Sequence, residues 1–350
     1  MQNNKNVMLE NLDFSKTILM LLIVLYHSMV FFTGNWFNQE PVFNSKFFNL
    51  FSQILNSFHI HAFVLISGYI YAYLRFEKNK YLSFSSIIKS KYKRLIVPYI
   101  FISLFWVIPF YFYFFKVGIK EIGIKYFLGI SSSQLWFLLM LFNIFIVIFF
   151  IGNFIYSSYY KAIILSIIIY GIGIVGGKFF PNIYQIMSSS KFLIYFIIGM
   201  LIYKSDLYVL KKIPSYVYLV IFIILWLLKS YIYIYIYDCS IYKIYILIIS
   251  FFINIEGSIM AFIILGRIAE VLKNLEYNYE NFRLYNFFKK YNFIIYLLHQ
   301  QIIYCVIDKL NGKVSPFVLV SANFFISLFF SSIIILILRR IKFVKKVLNL

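Results

Sequence analysis

Ten apolar blocks, each close to the length that crosses a lipid bilayer, leave this chain few folds to choose from. A hydrocarbon core needs about 20 apolar residues per helix. The sequence offers candidates at 13–33, 50–74, 95–115, 135–152, 162–177, 191–204, 216–236, 244–265, 292–308 and 316–338. Backbone N–H and C=O groups find no water in hydrocarbon, so segments of this kind are expected as helices. Charged residues make up 13% of the 350, where a soluble domain carries about a quarter. The expected fold is an all-α integral membrane protein of about ten transmembrane helices with no soluble domain. Its helical core would run over 12–340, and 341–350 would form a basic cytoplasmic tail, so that 1–350 is one transmembrane domain. The sixth block is short and the fifth ends in the glycine-rich stretch Gly171–Gly177, so both are open to being tilted, broken or re-entrant. The first block, Phe14–Phe32, lacks a small-residue cleavage site and continues into Thr33-Gly34-Asn35-Trp36, which reads as a retained span.

The net charge of +21 then concerns the two faces of a membrane rather than a nucleic acid. With the N-terminus inside, the cytoplasmic segments hold 23 of the 33 basic residues. Among these are Lys5, Lys16, Lys91, Lys93, Arg94, Lys211 and the tail lysines. The positive-inside rule therefore predicts both ends in the cytoplasm and an even number of spans. The cluster Lys89-Ser90-Lys91-Tyr92-Lys93-Arg94 orients the protein on this reading, and it also suits a docking site for a phosphate-bearing donor. Cys239 and Cys305 alone give no disulfide framework and no thiolate metal site, and no metal is expected. No internal repeat and no glycine-rich nucleotide loop is found.

Titratable groups inside a span are costly in hydrocarbon, so each is a candidate for function. All four histidines, His27, His59, His61 and His299, fall inside predicted spans. His27 follows Lys16 by eleven residues, three helical turns plus about 20°, which places both on one face about 16 Å apart. Asp13 lies on the same stripe one turn earlier. Spans one and two would bring His27 and His59 to similar depth. His59 and His61 are about 200° apart on a helix, so at most one is expected to face His27. Ser67-Gly68 is a small pair that permits close helix approach. His299, with Glu256 and Lys229, sits near mid-depth, and the last two suit a buried salt bridge.

Five segments in order carry a family likeness: Leu12-Asp13-Phe14-Ser15-Lys16 with His27-Ser28; Phe58-His59 through Ser67-Gly68-Tyr69; Lys93-Arg94-Leu95-Ile96-Val97-Pro98-Tyr99; Leu135-Trp136-Phe137-Leu138; and Ile295-Tyr296-Leu297-Leu298-His299-Gln300. Together they resemble the acyltransferase 3 family of bacterial membrane acyltransferases, which modify surface polysaccharides and lipid-linked sugars. The resemblance implies about ten spans in the bacterial cytoplasmic membrane. It implies a cytoplasmic acyl-CoA donor, by default acetyl-CoA, and transfer to a hydroxyl of a polysaccharide or lipid-linked glycan. It also implies that Lys16 and His27 are essential. Many members have arginine where this chain has Lys16, and proline often stands where this chain has His61. On this basis His27 and His59 are the candidate catalytic residues. Lys16, Lys91, Lys93 and Arg94 are candidates for holding the donor. Asp13, Ser67, Trp136, His299 and Glu256 are candidates for the substrate site. A transporter or flippase of lipid-linked oligosaccharide is the alternative, its intramembrane His, Glu and Lys forming a substrate or proton path. A polysaccharide polymerase fits less well, because the expected outer loops are short.

Overall fold

The computed structural model describes the chain except for residues 1, 35, 131–132, 206–209, 211, 236–240, 276–278 and 349, and except for the side chains of 2–10 and 280. Cys239, Lys211 and the Lys5 side chain lie outside what is described. The described residues are mostly helical, with no strand among them. Ten helical segments have the length and apolarity of a membrane span: Asn11–Thr33, Lys46–Glu77, Phe84–Phe115, Ser133–Ser157, Tyr159–Phe179, Ile183–Lys204, Ser215–Tyr235, Tyr242–Asn274, Arg283–Leu310 and Pro316–Leu338. They are numbered one to ten below. An even number of crossings returns the C-terminal end to the face on which the chain began. That face is called the chain-end face here, and the other the far face.

Spans five and six, which the sequence left open to being tilted, broken or re-entrant, are full-length helices. Span five has 21 residues and span six has 22. The glycines of 171–177 are not a break. All but Gly171 lie where span five presses on span six: a Cβ on Gly173 would meet Ser190 at 2.9 Å, and one on Gly176 would meet Met187 at 2.7 Å. Span six does begin irregularly, with Tyr184 and Gln185 in left-handed backbone. Its regular helix starts at Ile186, and the Asn182 side chain accepts from the Met187 and Ser188 N–H groups at 3.0 and 3.3 Å. That cap satisfies donors which would otherwise be left open at a helix start inside the membrane.

Spans two and three depart from regular helix in ways the sequence explains in part. Span two stops after Asn56 and restarts at His59. Span three widens over Tyr92–Ile96 and again over Ser103–Val107. There Val97 N–H reaches back five residues to Tyr92 O, and Ile108 N–H does the same to Ser103 O. Each widened turn sits immediately before a proline, Pro98 or Pro109. A proline has no N–H and its ring crowds the carbonyl four residues back, so the turn before it opens.

Span nine is the most enclosed, with 72% of its apolar stretch buried. Spans seven and five, at 11% and 17%, form the perimeter. Span nine is also the most heavily hydrogen-bonded from outside. Its Leu297 carbonyl accepts from Gln134 at 2.7 Å and its Leu298 carbonyl from Trp106 at 3.2 Å. Asn323 ties span ten to the Ser28 carbonyl of span one at 3.1 Å, and Asn11 ties span one to the Gly266 carbonyl of span eight at 3.4 Å. Side-chain amides that bond backbone across helices suit a bilayer, where apolar burial gives little preference for one neighbour over lipid.

The closest helix crossing joins spans two and six. A Cβ on Gly68 would lie 1.9 Å from the Phe196 carbonyl oxygen, and one on Gly199 would lie 1.9 Å from that of Leu65. Both clashes are with backbone, so no side chain can move aside to relieve them. Gly68→Ala or Gly199→Ala is therefore expected to cost about 1–3 kcal/mol or more, read as a lowered melting temperature of the detergent-purified protein. Gly171→Ala, which adds its methyl to open space, is the matched control and is expected to leave the melt in place.

Candidate active site

The far-face half of the bundle encloses a cavity of about 610 Å³. Its walls come from both halves of span two and from spans one, four, six, seven, eight and nine. His27, His59 and His61 line it, with Tyr26, Trp36 and Trp136. Residue 27 stands near the far end of span one because that helix runs unbroken from Gln2 to Met29. Trp36, from the connection that follows span one, lies over the imidazole with ring centres 5.9 Å apart.

The hydrogen-bonded partner of His27 is His299, not His59. His299 Nε2 is 3.0 Å from His27 Nδ1. Behind it, His299 Nδ1 faces the carbonyl oxygens of Tyr296 at 2.7 Å and Ile295 at 3.2 Å. A carbonyl only accepts, so that nitrogen carries the proton and the other offers a lone pair. His27 Nδ1 is likewise 3.0 Å from the Ile23 carbonyl. It therefore carries a proton shared between Ile23 O and His299 Nε2. The consequence is that His27 Nε2 is left as an unprotonated lone pair on a side chain that lines the cavity. His299 is fully buried and takes no part in the cavity wall. Its place is behind His27, where it fixes the tautomer and orientation of the ring.

His59 is held in the same way, its Nδ1 2.5 Å from the Leu55 carbonyl, and its ring packs on Tyr26 at 4.8 Å. Since Nδ1 bears the proton, a neutral His59 presents Nε2 as an acceptor. His61 also lines the cavity, although it lies about 200° round the helix from His59. The break before His59 makes both possible, because His59 stands on the first residue of the restarted helix and the cavity wraps round its end. The two rings touch different walls: His61 stacks on Phe192 of span six at 4.9 Å. Beside the histidines, Gln134 of span four and Gln301 of span nine exchange amide hydrogen bonds at 2.8 and 3.1 Å. The Tyr296 hydroxyl donates to the Gln134 carbonyl.

The other residues singled out from the sequence are dispersed. Lys16 pairs with Asp13 at 2.6 Å, three turns from His27 toward the chain-end face. Between the two, Met20, Ile23, Ile60 and Phe137 help to line an apolar void of only about 30 Å³, which shares Ile23, Ile60 and Tyr296 with the large cavity. Lys91 is buried, its ammonium 3.8 Å from the centre of the Phe145 ring and 4.9 Å from that of Tyr81, while Lys93 and Arg94 are exposed. Ser67 bonds its own helix at the Phe63 carbonyl and stays out of the cavity wall. Lys229 and Glu256 do not form the expected salt bridge. Lys229 lies against Trp226 and lines the cavity, whereas a buried Glu256 carboxyl oxygen has no hydrogen-bond partner.

The profile of a family described as an acyltransferase domain matches residues 9–338, nearly the whole chain. The chain belongs to the acyltransferase 3 family. No curated protein and no solved structure matches it. Membership makes the protein a multi-pass membrane acyltransferase. The matched region of this acyltransferase takes in every wall of the histidine cavity, from span one to span nine.

Proposed function

We propose that this acyltransferase moves an acyl group, acetyl in the simplest case, from acyl-CoA to a hydroxyl of a cell-surface or lipid-linked glycan, across the bacterial cytoplasmic membrane. The observation that carries the proposal is the His299–His27 pair, whose free Nε2 belongs to a cavity open to a sugar-sized acceptor. With the chain-end face in the cytoplasm, as the basic residues predict, Lys16, Lys91, Lys93 and Arg94 stand on the donor's side and the cavity on the acceptor's. The donor's phosphates would bind the basic residues. Its flexible arm would follow the apolar seam from Lys16 toward His27. At about 30 Å³, that seam needs side chains such as Met20 and Phe137 to move before an arm can pass.

In the reaction, His27 Nε2 takes the proton of the acceptor hydroxyl as that oxygen attacks the thioester carbonyl. The carbon–sulfur bond then breaks, and the departing thiolate takes the proton from the His27 imidazolium. The products are an ester and the free thiol of CoA. His299 acts as a positioning residue, since it touches neither substrate. His59 accepts from a second acceptor hydroxyl and so helps to orient the sugar.

Radiolabelled acetyl-CoA supplied to inverted membrane vesicles tests the proposal. Label is expected in glycan, and its arrival is expected to depend on His27. Glycan translocated without label would favour a flippase instead.

A further inference from the structure

Among the described residues that line the histidine cavity there is, besides the histidines, one basic side chain and no carboxylate. That basic residue is Lys229. Lys229 stands on span seven, an otherwise apolar helix running from Ser215 to Tyr235. It forms no ion pair among the described residues. Its ammonium lies 4.7 Å from the centre of the Trp226 ring, one turn back on the same helix. A cation on a membrane span is costly unless something offsets it, and an aromatic face offsets only part.

The surroundings of Lys229 are built to donate and to accept but not to neutralise. Asn254 of span eight, oriented to satisfy its neighbours, donates to the Ser57 and Ser250 carbonyls at 3.1 and 3.2 Å. This holds the wall on that side in place. Asn56, at the break in span two, lines the same cavity, and its amide makes no hydrogen bond among the described residues. A lysine amine and an available amide in a cavity with no carboxylate in its described lining suit an anionic oxygen. A neutral sugar would leave the cation without a counter-charge on a membrane span.

Building on the acyltransferase reading, we infer that the acceptor carries an anionic group, a carboxylate or a phosphate, and that Lys229 holds it while a hydroxyl of the same molecule meets His27. The charged group then selects the acceptor, and the imidazole acts on it without discriminating.

The test uses the full chain in phosphatidylcholine nanodiscs with radiolabelled acetyl-CoA and three acceptors. These are methyl glucoside, which is neutral, methyl glucuronide, which has a carboxylate, and glucose 1-phosphate. At least one charged acceptor is expected to exceed the glucoside in kcat/KM by about ten-fold or more, the range of a charge-assisted hydrogen bond. Which one does so distinguishes carboxylate from phosphate. Lys229→Gln is expected to bring the ratio of charged to neutral close to one, and Lys229→Arg to retain it. Lys313→Gln removes the same charge from the far-face loop without touching the cavity. It is expected to retain the ratio, which separates contact from long-range attraction. Binding is read in parallel without donor, as the rise in melting temperature that each sugar gives wild type and Lys229→Gln. A rise given by a charged sugar and lost with Lys229 supports the anion site even if no sugar is acylated, in which case the acyl-transfer reading fails separately. Equal kcat/KM and equal melting shifts for all three sugars would overturn the inference. So would a preference that survives in Lys229→Gln, or an effect of the mutation that appears only when phosphatidylglycerol is added to the nanodisc.

Discussion

His27→Ala is expected to abolish most acyl transfer, by about 10²–10⁴-fold, the usual contribution of a positioned general base. The ring contributes modestly to packing. It is half-buried, lies under Trp36 and makes one bond to its own helix. The variant is therefore expected to insert, purify and melt close to wild type, which distinguishes lost chemistry from lost fold. His27→Gln refines the result. A glutamine can replace hydrogen bonds to the sugar but cannot take a proton at neutral pH, so it is expected to be as inactive as alanine. The measurement is label transferred from acetyl-CoA per amount of purified protein. A glutamine variant with near-wild-type turnover would mean that His27 only binds the acceptor and that the base lies elsewhere.

The second large effect is expected at His299, where the loss arises indirectly. Its Nε2 receives the proton of His27 Nδ1, and its own Nδ1 is anchored by two carbonyls of span nine. With the partner removed, the His27 ring keeps the Ile23 carbonyl but loses the group that stabilises its imidazolium. Loss of a supporting partner of this kind typically costs about 10–100-fold in activity, and more where the wrong tautomer becomes populated. His299→Ala is expected to lower kcat by at least that factor and to leave KM for the acceptor little changed, because His299 does not reach the cavity. An effect confined to KM would show instead that the side chain shapes the acceptor pocket. His299→Gln, able to accept from His27 through its amide oxygen, is expected to recover part of the loss. A purely space-filling role predicts no difference between the two variants.

These expectations depend on a pairing that no linear feature of the chain discloses. The number and places of the spans were legible, because hydrocarbon demands internally bonded helices of a set length and the apolar blocks meet that demand one by one. Lys16, Asp13 and His27 were legible as a single stripe, since 3.6 residues per turn fixes their relation along one helix. The families of motifs at 12–28, 58–69, 93–99, 135–138 and 295–300 were legible as an ordered set, and residues 9–338 do match the family. The histidines were readable as intramembrane, but their partners were not. His299 lies 272 positions beyond His27, and which helices touch in a bilayer is decided by packing and a few cross-helix hydrogen bonds.

Local irregularity also escaped. The prolines of span three are a signal from which its widened turns could have been read. The break in span two carries no comparable signal at Ser57, yet it lets His59 and His61 share one cavity. The glycines of span five left it open to being tilted, broken or re-entrant, because the span-six contacts of Gly173 and Gly176 lie on another helix. Lys229 and Glu256 looked like a pair because both sat near mid-depth, and depth is all that sequence supplies. The sequence by itself determined a ten-span helical membrane protein with its basic and imidazole groups at known heights. Only the tertiary structure decided which groups meet at each height, because neighbours across a bundle are chosen by side-chain fit and hydrogen bonding between helices distant in the chain. That choice set His299 behind His27 and left Lys229 facing the same cavity with no carboxylate in its described lining.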